Sequence, residues 1–209
     1  IRTEMAEKLN IRDVQDVLAK SWKPYLEQTN IVLEDATCYE SYMRFPTNVK
    51  LLWECIDWMY GQMKRTCKYL KIPTPRTKYL DQKEKHFAYM RMRKKPWKLT
   101  TKRTRSLLYL LEKLIYEQKK IEDQHRMLHF PKKYHHRRRV IEKVLDQQTE
   151  MFTTGTHSVP DRIVSIAKSY VRPIVRGKEV KKVEFGAKVN MIQLDGINFI
   201  EHQSFDAFN

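Results

Sequence analysis

Four prolines set the frame for the middle of this 209-residue chain. Pro73, Pro75, Pro96 and Pro131 interrupt residues 48–152, where the apolar positions otherwise keep the three-and-four spacing of helices. Val49, Leu52, Trp53, Ile56, Tyr60, Met63, Cys67 and Leu70 lie on one face of a helix predicted over 48–70, with Asn48 as its N-cap. A second helix is predicted over 78–95, with Pro96 as its stop. A third, over 102–129, carries Leu107, Leu110, Leu111, Leu114, Ile121 and Leu128 on one face and is broken by Pro131. A fourth, over 135–152, aligns Val140, Ile141, Val144, Leu145, Met151 and Phe152. The stretch 48–152 therefore predicts a helical hairpin or bundle.

The flanks read differently. Residues 1–28 form a helical lead-in, broken near Asn10 and ended by Pro24. In residues 29–47, Ile31, Val32 and Leu33 predict a short strand that ends in two acids, Glu34 and Asp35. Beyond Thr153 come a loop, short apolar runs at Arg162–Ile166 and Tyr170–Val175, and a strict alternation from Val183 to Met191. Asp195-Gly196 predicts a hairpin turn, with Ile197–His202 as the return strand and Ser204 capping a following helix. The expected fold is α+β: a mixed sheet whose first strand is separated from the others (153–209) by the helical segment.

Charge is segregated along the chain. The net charge is +16, yet residues 1–60 hold seven basic and ten acidic residues and residues 141–209 hold nine of each. Residues 61–140 hold 25 basic and six acidic residues. Concentrated positive charge of this size attracts a polyanion, nucleic acid above all. The densest runs put Arg91, Arg93, Lys94, Lys95, then Lys102, Arg103, Arg105, then Lys132, Lys133, Arg137, Arg138 and Arg139 forward as DNA-binding residues, interleaved with Tyr89, Trp97, Tyr109 and Tyr134. The apolar face that a membrane-surface helix needs opposite its charges is poorly formed.

Three cysteines, Cys38, Cys55 and Cys67, form no CxxC pair, which fits free thiols in a reducing cytosol. No apolar run is long enough for a transmembrane span, and no signal peptide opens the sequence. The chain reads as an internal piece of a longer protein. His125 and His129 lack the Glu of an HExxH site and read as a surface pair; His135 and His136 extend the basic face. Cys38 has no His to activate it and reads as a buried thiol. Gly155 and Gly177 belong to no phosphate loop, and Trp53, Trp58 and Tyr60 read as core.

The segments LEDATCYESYMRFPT and PDRIVSIAKSYVRPIVRGKEVKKVEFGAKVNMIQLDGINFIEHQSFDAFN resemble the catalytic core of bacterial insertion-sequence DDE transposases, over about residues 30–209. The resemblance implies a ribonuclease-H-like sheet, interrupted here by a large basic helical insertion. It also implies that Asp35, at the end of the first strand, is the first metal-binding carboxylate of a catalytic triad. Two Mg2+ ions, or Mn2+ in their place, would serve phosphodiester cleavage and joining on double-stranded DNA, at transposon ends and target. A homodimer on paired ends, a nucleoid-associated bacterial cytoplasmic setting and no membrane partner belong to the same expectation. The family's Arg-aromatic-Pro-Thr-Asp motif reads Arg44-Phe45-Pro46-Thr47-Asn48 here. Asp161, Asp195 and Asp206 do not match the remaining triad positions, so this piece would not catalyse alone. A non-catalytic, basic helical nucleic-acid-binding protein, with Asp35 structural, is the alternative.

Overall fold

The computed structural model describes residues 8–27, 31–43, 45–175 and 183–205. Arg44 and Asp206 lie outside the described residues. The fold is α+β, and the chain divides into two compact units: Ile1–Tyr42 with Val171–Asn209, and Met43–Tyr170.

The first unit holds helix α1 (Ile11–Trp22), a 3-10 turn (Lys23–Tyr25) and strands β1 (Val32–Glu40), β2 (Arg172–Val175), β3 (Val183–Leu194) and β4 (Ile197–Ser204). Asn10 caps α1 by accepting the Arg12 N–H at 3.0 Å. All strand pairs are antiparallel, and β3 is the centre. One edge of β3 carries β1, from Glu40↔Gly186 to Val32↔Leu194. Its other edge carries β2 (Val175↔Val183 to Arg172↔Gly186) and then β4 (Ser204↔Lys188 to Ile197↔Leu194). The expected hairpin is present. Asp195 and Gly196 have φ of 49° and 80°, the two positive values a tight type I′ turn needs. The ladder with β4 is irregular at Asn190/Met191, and beside it the Gln15 amide both accepts the Ile200 N–H (2.7 Å) and donates to the Ile200 C=O (2.9 Å). α1 thereby pairs with one residue on the free edge of β4.

The second unit holds α2 (Asn48–Leu70), α3 (Tyr79–Arg91), α4 (Trp97–Gln124) and α5 (Lys132–Thr154). Leu52, Ile56, Met59 and Met63 of α2, Leu107, Leu111 and Leu114 of α4, and Ile141 and Val144 of α5 are fully buried together. Cys55 and Cys67 are buried free thiols, and Cys38 in β1 is half-buried. α4 and α5 run antiparallel: Tyr134 and Arg138 at the start of α5 reach Glu122 near the end of α4, while Arg105 lies over the Phe152 ring at the other end. No helix is long and apolar enough to cross a membrane among the described residues.

Several boundaries differ from the sequence reading. Thr47, not Asn48, caps α2 by accepting the Lys50 N–H at 3.3 Å; Asn48 is the first helical residue and accepts from the Arg162 guanidinium at 2.8 Å. α3 stops at Arg91 rather than 95, and Pro96 starts α4 instead of ending α3, because a proline costs nothing where an N–H would have no intrahelical partner. α4 then ends at Gln124, before His125. Arg162–Ile166 is not a strand: Ile163, Val164 and Ile166 are buried, and Ile163 and Ile166 join the helical core. Gln147 holds that segment by accepting the Ile163 N–H (3.0 Å) and donating to the Pro160 and Asp161 carbonyls (both 3.1 Å). Ser204 is the last residue of β4.

Gly186 shows how tightly β1 sits on β3. A Cβ there would overlap the Tyr39 carbonyl oxygen and lie 2.9 Å from the Glu40 Cα. Gly186→Ala should therefore destabilise the sheet by about 1–3 kcal/mol, read as a lower urea midpoint. Gly61→Ala, within α2 and with nothing within 4 Å of the added carbon, should stabilise by up to about 1 kcal/mol.

Candidate nucleic-acid interface

The helical unit divides the cations predicted from sequence into two groups. α4 buries the row through Leu107, Leu111 and Leu114, so residues spaced by threes and fours on its opposite side face water. Lys102 and Arg105 are on that side and exposed. Arg91, at the end of α3, and Arg93, Lys94 and Lys95, in the linker before Pro96, are exposed as well, with the Lys95 ammonium 5.6 Å from the Tyr89 ring centre. On α5, Lys132, Lys133 and Arg139 are exposed and Arg137 is half-buried. None of these cations is ion-paired among the described residues.

Arg103 and Arg138 do not belong to that surface. Arg103 is 5% exposed and donates to the Gln82 side-chain oxygen (2.6 Å) and backbone carbonyl (3.3 Å). Burial holds its pKa below the usual arginine value. Lys102 and Arg103 are adjacent in sequence, but a 100° step around α4 sends one to water and the other into the bundle. Arg138 is clasped by Glu122 and by Glu142 (3.0 Å), with Tyr134 donating to Glu122 at 2.6 Å. Burial opposes Arg138's charge, but the two carboxylates outweigh it and raise its pKa; burial and the Glu122 contact raise that of the Tyr134 phenol. The interleaved aromatics separate in the same way: Tyr89 and Tyr134 are core, while Trp97 is 76% and Tyr109 69% exposed.

Sequence reasoning missed Lys98, Lys119, Lys120 and Tyr116, which share the exposed side of α4. Their spacing from the leucine row is the signal in the sequence, since none of them belongs to a run of three or more basic residues.

Asp35 lies fourth in a nine-residue strand, not at a strand end, which corrects the expectation. The chain continues in the ladder because Ala36–Glu40 pairs with Gly186–Asn190 of β3. Asp35 is exposed, and its register neighbour on β3 is Met191, which in turn faces Ile200 of β4. Neither neighbour can ligate a hard cation. Among the described residues no group of three or more His, Cys, Asp or Glu side chains could hold a metal ion. The surroundings of Asp35 therefore do not by themselves fit a two-ion centre. His125 and His129 lie beyond the end of α4 in a surface loop, where the His129 Nδ1 sits 2.9 Å from the Met127 carbonyl oxygen.

His86 is the most perturbed imidazole. It is 5% exposed and stacks on Trp53 with ring centres 4.6 Å apart. Burial, helped by the Arg103 charge, lowers its pKa to about 4. No protein-family model, no curated protein and no solved structure matches this chain.

Two tests follow from this geometry. Arg103→Ala should cost about 1–3 kcal/mol by leaving the buried Gln82 side-chain oxygen without its donor, whereas Lys102→Ala should leave the urea midpoint unchanged and weaken polyanion binding. His86 binds a proton more readily in the unfolded chain, where its pKa is near 6.5, than in the fold. Its contribution is complete above pH 6.5 and is lost as pH falls toward about 4; His86→Leu should flatten the stability profile across that window.

Proposed function

We propose that this chain belongs to a DNA transposase of the DDE type, with the helical unit as its DNA-contacting insertion and the antiparallel strands as part of a ribonuclease-H-like core. The observation that carries this reading is the set of exposed cations on α4, α5 and the α3–α4 linker that form no ion pair among the described residues, in a stretch whose positive charge is barely balanced by acids. Such cations bind DNA by contacting phosphates and displacing counterions, which positions a duplex without reading its sequence.

Asp35 would be the first carboxylate of the metal-binding set, completed by groups that the described residues do not supply. Its exposure on a paired strand keeps the carboxylate in water and at a defined position. Mg2+ would supply the activation of water or a 3′-hydroxyl for phosphodiester transfer. The non-catalytic reading is supported by a specific feature: β1 is a sheet edge, and Glu34, Asp35 and Glu40 are the kind of charges that keep an edge strand from pairing with other chains.

The test has two arms. Affinity for duplex DNA should fall by about 0.9 log units per log of salt for each phosphate neutralised, and salt-independent or absent binding rejects the DNA role. In the full-length protein, Asp35→Asn should abolish Mg2+-dependent strand cleavage while leaving duplex binding within about twofold; retained cleavage assigns Asp35 to the edge role instead.

A further inference from the structure

The surface depressions of the helical unit differ in charge. One beside the start of α5 contains Glu142, and one between α4 and α5 contains Glu112 and Asp146. Another lies between α2 and the turn after α4. It holds about 380 Å3, within the range of small-molecule sites, and its lining among the described residues holds no acid.

One wall is a stripe of α2. Gln62, Arg65, Thr66 and Tyr69 stand at i, i+3, i+4 and i+7 and so share a face. The other wall is Met127–Phe130, in a turn closed by the Leu128 N–H donating to the His125 carbonyl (3.0 Å). Phe130 stacks on Tyr134 of α5 with ring centres 4.2 Å apart, so one face of its ring is covered and the depression meets the rest. Tyr69 is 79% exposed.

The polar groups have unused capacity. Arg65 forms no ion pair, and the Gln62 side-chain amide makes no hydrogen bond, among the described residues. The His129 Nδ1 lies 2.9 Å from the Met127 carbonyl oxygen. A carbonyl oxygen only accepts, so Nδ1 carries the hydrogen and Nε2 is the ring nitrogen left for a ligand. Two aromatic rings, a guanidinium and an amide that both donates and accepts match three parts of one molecule: a planar heterocycle, a phosphate and the polar edge of a base.

We propose that this depression binds one nucleoside phosphate, with its base against Phe130 and Tyr69, the base edge at Gln62 and the phosphate on Arg65. A nucleotide in solution and an unpaired residue of a strand share this chemistry. The site uses none of the cations of α4 or the α3–α4 linker, so it goes beyond the duplex-binding reading and can fail separately from it.

The experiment is a calorimetric titration of the 209-residue chain with deoxyadenosine 5′-monophosphate (dAMP), deoxyadenosine, inorganic phosphate, O-phosphotyrosine and a single-stranded tetranucleotide. Saturable one-to-one binding of dAMP should be at least about fivefold tighter than that of inorganic phosphate, because stacking adds to the charge contact. Arg65→Gln should weaken dAMP about tenfold and leave deoxyadenosine unchanged, since only the phosphate loses a charged partner. Tyr69→Ala should weaken both by about fivefold. Both side chains are exposed, so the fold tolerates their loss. Tighter binding of the tetranucleotide than of dAMP, lost to the same two substitutions, assigns the site to a strand residue; equal or tighter binding of dAMP assigns it to a nucleotide in solution. Lys102→Gln should weaken duplex binding and leave dAMP affinity unchanged. No saturable binding of dAMP or the tetranucleotide, phosphate bound as tightly as dAMP, O-phosphotyrosine bound more tightly, or affinities indifferent to both substitutions overturns the site and leaves the duplex reading standing. Retained dAMP binding by a chain that binds no duplex at low salt overturns that reading and leaves this site.

Discussion

Burial of the leucine row on α4 is the interaction on which the helical unit depends. Leu107, Leu111 and Leu114 meet Ile56, Met59 and Met63 of α2 and Ile141 and Val144 of α5 with no exposed area left. Each fully buried side chain of this size contributes about 1.5–3 kcal/mol relative to exposure. Because a helix has a fixed rotation per residue, that burial also orients the rest of α4. Once the leucines face inward, Lys98 and Lys102 face solvent and Arg105 reaches across to the Phe152 ring of α5. The charged surface is thus a geometric consequence of the core.

The interior of the same unit holds cations in two ways. Arg138 sits between two carboxylates and a phenol, a charge-balanced cluster that ties the end of α4 to the start of α5. Arg103 is held by a neutral amide and a carbonyl, so its charge is hydrogen-bonded but has no direct carboxylate contact. It lies near His86, whose neutrality is reinforced by that charge. The stack of Tyr60 on Tyr79 (3.7 Å between ring centres), Tyr79 by Trp53 and Trp53 on His86 joins α2 to α3 through aromatic surfaces. Two arginines from neighbouring basic runs therefore act as structural pins, and counting them as DNA contacts overstates the usable charge.

The sheet unit is organised by one long strand. β3 receives β1 on one edge and both β2 and β4 on the other. The two outer edges are treated differently. Gln15 makes a paired amide contact with the Ile200 backbone on β4, whereas β1 carries three acids on its nine residues. The carboxylate of greatest functional interest thus lies on a strand whose charge also has a purely structural use.

Helix existence and core faces were legible because periodicity and proline placement act within one segment: the row from Leu52 to Met63, the break at Pro131 and the Asp195-Gly196 turn need no distant partner. The α+β class and the separation of β1 from its sheet partners were legible for the same reason. What depended on tertiary structure was everything set by a partner remote in sequence. Asp35 became mid-strand because β3 extends the ladder past it, and Ile163 entered a helical core because Gln147 holds its backbone there. Lys102 and Arg103 are indistinguishable as letters in a basic run; a single step around a packed helix makes one a surface charge and the other an interior one. Composition determined that this chain carries a large positive excess, and packing alone decided which of those charges remain free to meet a polyanion, because only packing fixes which side of each helix water can reach.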